Sequence, residues 1–202
     1  MNYQDIIKSI NKKDLEPVYF LMGEEDYYID SLCNEFSRKI LTNEQQEFNQ
    51  VTLYGKNTNT EQIIAEAKQF PFNSEKRIVI VKEAQEIKNL EILNSYLENP
   101  QKTTVLVISY KGKSIDKRKS FGKNLAQKCV VFESKKLYEN KIADWISNYV
   151  NKNGFEINHN ATAVLSEYLG TNLSKITNEI EKLMLVVKKE EPITTKIIEK
   201  YI

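Results

Sequence analysis

The chain has 202 residues, is 41% hydrophobic, and sets 29 lysines and arginines against 28 aspartates and glutamates. That is apolar material enough for one large domain or a medium and a small one, and the near-neutral balance excludes a global electrostatic attraction to nucleic acid or anionic membrane. Cys33 and Cys129 lie far apart without metal-ligand spacing and read as reduced core residues; Met1 to Asp5 lacks a basic flank and no apolar run nears the ~20 residues that span a bilayer, so a cytoplasmic protein is expected.

In chain order, β-branched runs and helical patterns alternate up to about Leu137. Pro17 to Met22, Asn49 to Tyr54, Arg77 to Val81, Thr104 to Ser109 and Cys129 to Phe132 read as five strands. Asp26 to Leu41, Thr60 to Gln69, Leu90 to Glu98 and Arg118 to Gln127 read as helices. In the first of these, Ile29, Leu32, Cys33, Phe36 and Ile40 recur at helical spacing and form one apolar face. The alternation predicts a parallel, helix-covered sheet with right-handed crossovers. Ile78 to Val81 and Val105 to Ile108 are continuously apolar, which places them near its centre, covered on both faces.

After Leu137 the strand signals vanish. Glu139 to Val150, Ala161 to Leu169, Leu173 to Val187 and Thr194 to Ile202 each carry an apolar stripe, punctuated by Gly154, Gly170, the capping Asn172, and Pro192 with Thr194. The expectation is an α/β domain over residues 1–136 and a small helical bundle over 137–202. Trp145, Tyr149 and Phe155 are expected in the bundle core. The last predicted helix runs to the final residue without a terminator, so a piece of a longer polypeptide is expected.

An α/β sheet followed by a helical lid is a common form of nucleotide-driven ATPase, which makes the turn after the first strand the place to test. A phosphate loop there needs G-x-x-x-x-G-K-[ST]: amides to cradle phosphates, a lysine for the terminal phosphate, a hydroxyl for magnesium. Gly23 is instead followed by Glu24, Glu25 and Asp26. Tyr28 stands for the second glycine, Ile29 for the lysine and Asp30 for the hydroxyl. Three adjacent carboxylates would repel phosphate, but they suit the N-terminus of a helix. At the end of the third strand, Lys82-Glu83 replaces the Asp-Glu pair that would hold magnesium. The only histidine, His159, reads as a connector residue beside no nucleophile, and Glu190-Glu191 as a solvated turn. No catalytic residue, cofactor or metal is expected.

Several segments together resemble the delta-subunit family of the bacterial clamp loader, which opens the sliding clamp within the replicative DNA polymerase III holoenzyme. They are Pro17 to Tyr27; Phe70-Pro71-Phe72 ahead of Arg77 to Val81; Lys136-Leu137 leading into Trp145-Ile146; and Leu169-Gly170-Thr171-Asn172-Leu173 followed by Ile176, Asn178-Glu179 and Glu181-Lys182-Leu183. The resemblance covers nearly the whole chain. It implies a five-stranded parallel sheet domain of P-loop-like, AAA+-type fold with a degenerate nucleotide site, then a helical lid. It also implies a third, collar domain for ring assembly, which has no counterpart here, so a monomer is expected. The implied partners are the sliding clamp (beta subunit), the gamma/tau and delta prime subunits and, through the complex, primed DNA. No membrane partner is implied. The implied clamp contact is an adjacent apolar pair after the helix preceding the third strand.

That pair maps to Pro71 and Phe72. Proline in the first place departs from the family's usual Leu-Phe, which makes Phe72 the anchor and leaves Phe70 a helper. Proline also ends the helix. Phe70 is expected to fold back beneath the strand and Phe72 to stay exposed. The basic stretch Lys111, Lys113, Lys117, Arg118, Lys119 and Lys123 follows the fourth strand, where ATPase relatives sense phosphate. It reads first as a solvated face, with contact to DNA phosphates or an acidic partner as the alternative. Asn178, Glu179 and Glu181 with Lys175 and Lys182 read as surface pairs. Two further classes remain open at this point: a divergent P-loop ATPase or nucleotide kinase, and a scaffold module that uses the sheet for another protein.

Overall fold

The computed structural model describes residues 1–202. It divides into two compact units, Met1–Lys135 and Lys136–Ile202. In chain order the first unit contains α1 (Tyr3–Lys12), β1 (Val18–Gly23), α2 (Asp26–Lys39), α3 (Asn43–Asn49), β2 (Gln50–Tyr54), α4 (Thr60–Ala67), β3 (Arg77–Lys82), α5 (Asn94–Leu97), β4 (Thr104–Lys111), α6 (Ser120–Lys128) and β5 (Val130–Ser134). The five strands form one sheet in the order β2-β3-β4-β1-β5, every pair parallel. The apolar runs of β3 and β4 therefore lie inside the sheet, as their composition requires.

The side-chain period of a strand explains the two-sided burial. Tyr19 and Leu21 of β1, Ile78 and Ile80 of β3, and Val105 and Val107 of β4 point to the layer formed by α1 and α2, where Ile6, Ile10, Ile29, Leu32, Cys33 and Phe36 meet them. Val18, Phe20, Met22, Val79, Val81, Leu106 and Ile108 alternate to the other face, against Ile63, Ala67, Leu93, Tyr96, Leu97 and Leu125. Each such side chain contributes about 1.5–3 kcal/mol by leaving water, so the α/β unit has a core on both sides of one sheet.

Two helices of this unit were not expected: α3, which has no apolar stripe, and α1, although Tyr3, Ile6, Ile7 and Ile10 recur there at helical spacing. Each opens with a reciprocal capping box. Asn2 accepts from Asp5 N–H and the Asp5 carboxylate accepts from Asn2 N–H at the start of α1; Thr42 and Gln45 do the same for α3. Other boundaries shift. Asn49, expected to open a strand, closes α3 and is buried. α4 stops at Ala67, four residues ahead of Pro71. Arg118 precedes α6, and Cys129 is a half-buried cap residue outside the strand, so only Cys33 is a core thiol.

The second unit contains α7 (Ile142–Lys152), α8 (His159–Leu169), α9 (Leu173–Val186) and α10 (Thr195–Tyr201). Its core is Ile142, Ile146, Val150, Ala161, Leu165, Leu169, Leu173, Ile176, Ile180, Leu183, Ile193 and Ile198. Asn172 caps α9 by accepting from Lys175 N–H at 2.9 Å. The connectors before α8 and α10 are tied by a short parallel bridge, Ile157 to Ile193, that no strand pattern had signalled. His159 is the first residue of α8 and not part of a connector, because Asn158 already holds the extended N-cap conformation. Trp145, Tyr149 and Phe155 are half-buried. The i, i+4 pair Trp145 and Tyr149 stacks ring on ring at 5.3 Å, and the Tyr149 hydroxyl lies 2.8 Å from Glu181. The polar edges of Trp145 and Tyr149 keep those two rings at the rim, while the branched aliphatic residues fill the centre. No helix in the chain is long and apolar enough to cross a membrane.

Candidate functional site

In a parallel sheet all strands start at one edge and end at the other, so loops that precede strands gather at one end of the α/β unit and loops that follow them at the other. The two candidate regions fall at opposite edges.

At the C-terminal edge, Gly23 ends β1 with φ 131, a conformation that other residues avoid. A Cβ there would collide with the Ser134 backbone and hydroxyl. The amides of the turn already have acceptors: Gly23 N–H donates to Lys113 O (3.2 Å), Glu24 N–H to Ser134 O (3.2 Å) and Glu25 N–H to Ser134 Oγ (3.2 Å). The buried Glu25 carboxylate accepts from Tyr27 N–H at 3.3 Å and caps α2. Donors that would cradle phosphate in a phosphate loop are thus committed to β5 and to the segment after β4.

Four of the six cations of the basic stretch have partners of their own. Lys111 Nζ lies 2.6 Å from Asp30 Oδ1 and 2.7 Å from Oδ2, so the residue in the hydroxyl position neutralises the one lysine that ends β4. Lys113 sits 5.5 Å over the Tyr110 ring, Lys117 pairs with Glu133, and Arg118 makes a two-pronged pair with Asp116 at 3.0 Å. Asp116 is held below its ordinary value by these Arg118 bonds, and Glu133 by its bond from Lys117. Lys119 and Lys123 are exposed. Cys33 stands near this edge, but burial raises its thiol to about 12, which leaves it no nucleophile. No cluster of three or more His, Cys, Asp or Glu side chains with metal-holding geometry is present. Of the helical unit's polar residues, Lys182 pairs with Glu179, and Lys175 lies 5.9 Å over Tyr168.

At the N-terminal edge, Phe70, Pro71 and Phe72 lie between α4 and β3. Phe70 is 76% exposed and Phe72 62%. The exposure of Phe72 is as expected; Phe70 does not fold beneath the strand. Ala67, Tyr96 and Leu97 are buried in the layer on that face of the sheet, and α4 ends three residues before Phe70, which stays outside it. A third ring joins them. Phe48, 62% exposed near the end of α3, lies 5.8 Å from Phe72 with the ring planes tilted by 52°. Sequence patterning missed it because α3 has no apolar stripe; the Thr42-x-x-Gln45 capping box was the available signal. β2 and β3 are adjacent parallel strands, so the segments entering them arrive side by side.

This tip is held from beneath. Arg77, 8% exposed, donates Nε–H to Glu66 O (3.3 Å) and Nη1–H to Phe48 O (3.2 Å), and pairs through Nη2 with the Glu66 carboxylate. Tyr96 O–H donates to Ala67 O and Thr104 O–H to Gln69 O, each at 3.2 Å. Burial raises the Tyr96 phenol above its ordinary value, keeping it a donor. The carbonyls of Phe48, Ala67 and Gln69, at or just beyond the ends of α3 and α4, thereby find side-chain partners, and Glu66 O, which also accepts from Gln69 N–H, gains a second one. The arrangement presents three large apolar rings, Phe70 and Phe72 on the braced loop and Phe48 near the end of α3.

Residues 19–135, more than half of the chain, match the family described as DNA polymerase III, delta subunit. The chain belongs to that family. It is similar to DNA polymerase III subunit delta of Bacillus subtilis (strain 168), with 30% identity over 200 residues that cover 94% of this chain and 58% of the relative. The solved Bacillus subtilis DNA clamp loader delta protein has a TM-score of 0.77 and 28% identity, covering 99% of this chain and 62% of that one. The chain thus spans less than two thirds of either relative. The Thermotoga maritima RuvB Holliday junction branch migration motor, at a TM-score of 0.56 and 16% identity over 98% of this chain and 65% of its own, shares the fold alone. That fold is the AAA+-like α/β architecture that the sequence led one to expect.

Proposed function

We propose that this chain binds and opens the sliding clamp without hydrolysing ATP, with residues 1–136 as the clamp-binding AAA+-like domain and 137–202 as a helical lid. Phe72, with Pro71 and Phe70, docks into an apolar pocket on the clamp; stronger binding to an opened clamp than to a closed one supplies the work. The gamma/tau and delta prime subunits, and primed DNA through them, complete the assembly, and ATP binding in those subunits governs when the tip is free. The observation that carries this reading is the pair of exposed phenylalanines on a loop braced by Arg77, Tyr96 and Thr104. Large aromatic side chains on a rigid element are what interface hot spots are made of. The paired state of Lys111 and the committed amides of Gly23 to Glu25 support a noncatalytic role.

The test is a titration of the cognate sliding clamp with the wild-type chain and Phe72→Ala, with circular dichroism confirming that the variant is folded. Truncation is expected to cost about 2 kcal/mol of binding. Equal affinities, or tight binding of magnesium-ATP by the chain alone, overturn the proposal. In the second case an ATPase or nucleotide kinase takes its place.

A further inference from the structure

We infer that Phe48 is a third contact residue of the docking tip and that Asn49 is the positioning residue that sets Phe72 in place; both roles rest on the clamp-binding reading above. The Asn49 carboxamide is 1% exposed and spends its hydrogen bonds on main chain. Its Oδ1 accepts from Phe72 N–H at 2.6 Å, and its Nδ2 donates to Phe72 O at 2.9 Å and to Gln45 O at 3.1 Å. One buried side chain on α3 therefore satisfies both polar groups of Phe72, as a neighbouring strand would. The next residue, Asn73, has φ 48 and turns the chain away. Phe72 is left at the crest with its backbone held and its ring free to meet a partner.

The same short segment delivers Phe48. Its carbonyl is fixed by Arg77 and its ring leans on Phe72, so the two rings form one exposed apolar surface, with the exposed Phe70 two residues from Phe72 on the same loop. A single ring needs only a small pocket; Phe48 and Phe72 leaning on each other, with Phe70 exposed on the same loop as Phe72, select a wider one. A held loop also loses little freedom on docking, which favours affinity without any added contact. The occupant is accordingly the apolar pocket of the sliding clamp that the proposed function invokes, entered by three rings and not by one adjacent pair.

The experiment uses the 202-residue chain and the cognate sliding clamp. Affinity is measured for wild type, Phe72→Ala, Phe48→Ala and Asn49→Asp, and amide hydrogen exchange at Phe72 is followed without the clamp. Phe48→Ala removes an exposed ring and keeps the fold; it is expected to weaken binding about fivefold to tenfold. Asn49→Asp keeps the acceptor for Phe72 N–H but replaces the donor with an oxygen facing Phe72 O and Gln45 O. A loss of about tenfold or more is expected, together with faster exchange at Phe72 while the amides of β3 stay protected. Rapid exchange at Phe72 in the wild type overturns the positioning role, whether or not the Asn49 variant folds. Binding that falls with Phe72→Ala yet is unchanged in Phe48→Ala overturns the third contact and leaves the proposed function standing. Failure of the wild type to bind the clamp overturns both together.

Discussion

Replacing Arg77 with methionine would test whether the tip is braced as described. The guanidinium is nearly buried, its side chain 9% exposed, and it makes an ion pair with Glu66 and bonds to two carbonyls. Removing one partner of a fully buried pair costs about 3–5 kcal/mol. Here the carboxylate is 30% exposed and rehydrates when freed. The carbonyl bonds, at 3.2 and 3.3 Å, are long, and methionine retains most of the apolar stem. A loss of about 2–3 kcal/mol results, within the range for buried charged hydrogen bonds. With a urea slope of about 2–3 kcal/mol/M, the unfolding midpoint of the α/β unit moves down by about 1 M. Urea titration followed by far-ultraviolet circular dichroism at pH 7 measures this. Glu66→Gln should cost less than half as much, since Arg77 keeps both carbonyls. A midpoint for Arg77→Met within about 0.3 M of wild type, or equal losses in the two variants, refutes the account.

Gly23→Ala should destabilise the chain by about 3 kcal/mol or more, because a Cβ at φ 131 meets the Ser134 backbone; a melting curve like that of wild type would contradict the steric argument. The two thiols, each raised by burial to about 12, should resist a disulfide reagent at pH 8. Only about one in ten thousand is thiolate under those conditions, so labelling should follow unfolding; fast native labelling of either cysteine refutes this. The Glu133 carboxyl is lowered from 4.5 chiefly by its bond from Lys117, then by Ser114. Its folded value lies below its unfolded one, so the stabilisation is present above about pH 4.5 and is lost as pH falls through the folded value. The pair is exposed, so the effect is under about 0.5 kcal/mol. The difference in melting temperature between wild type and Glu133→Gln should hold from pH 7 to about pH 5 and close toward pH 3. A difference that widens on acidification has the wrong sign.

What sequence could and could not reveal follows from where each signal resides. β3 and β4 were legible because Ile78 to Val81 and Val105 to Ile108 are apolar without interruption, and an inner strand needs just that. α3 was not, because a helix with one buried residue, Asn49, has no periodicity to read. Its existence rests on the local exchange between Thr42 and Gln45, and that oversight hid Phe48. The exposure of Phe70 was beyond reach for a different reason. Whether a ring enters a core depends on what else packs there, and that layer also takes Tyr96 and Leu97, some 25 residues later in the chain. The acidic turn is legible as a helix cap, yet the partners of its amides, Ser134 in β5 and Lys113 just after β4, lie more than 80 residues away.

The separation of the two edges has an energetic consequence. Six residues of β3, at ~3.3 Å each, put about 20 Å between the braced tip and the turn at Gly23. Phe72 depends on Asn49 and Phe48, and Lys111 on Asp30 and Gln85, so the two sets share no partner. Substitutions that far apart without a common contact add to within about 0.5 kcal/mol. The C-terminal edge can therefore be filled by the chain's own hydrogen bonds and ion pairs without disturbing the tip, provided the sheet between them stays packed. The affinity lost through Phe72→Ala should accordingly be the same in a Lys111→Met background as in the wild type. A clamp titration of the two single variants and the double variant measures the coupling. A value above about 1 kcal/mol would mean that the sheet transmits state from one edge to the other, and would refute the independence argued here.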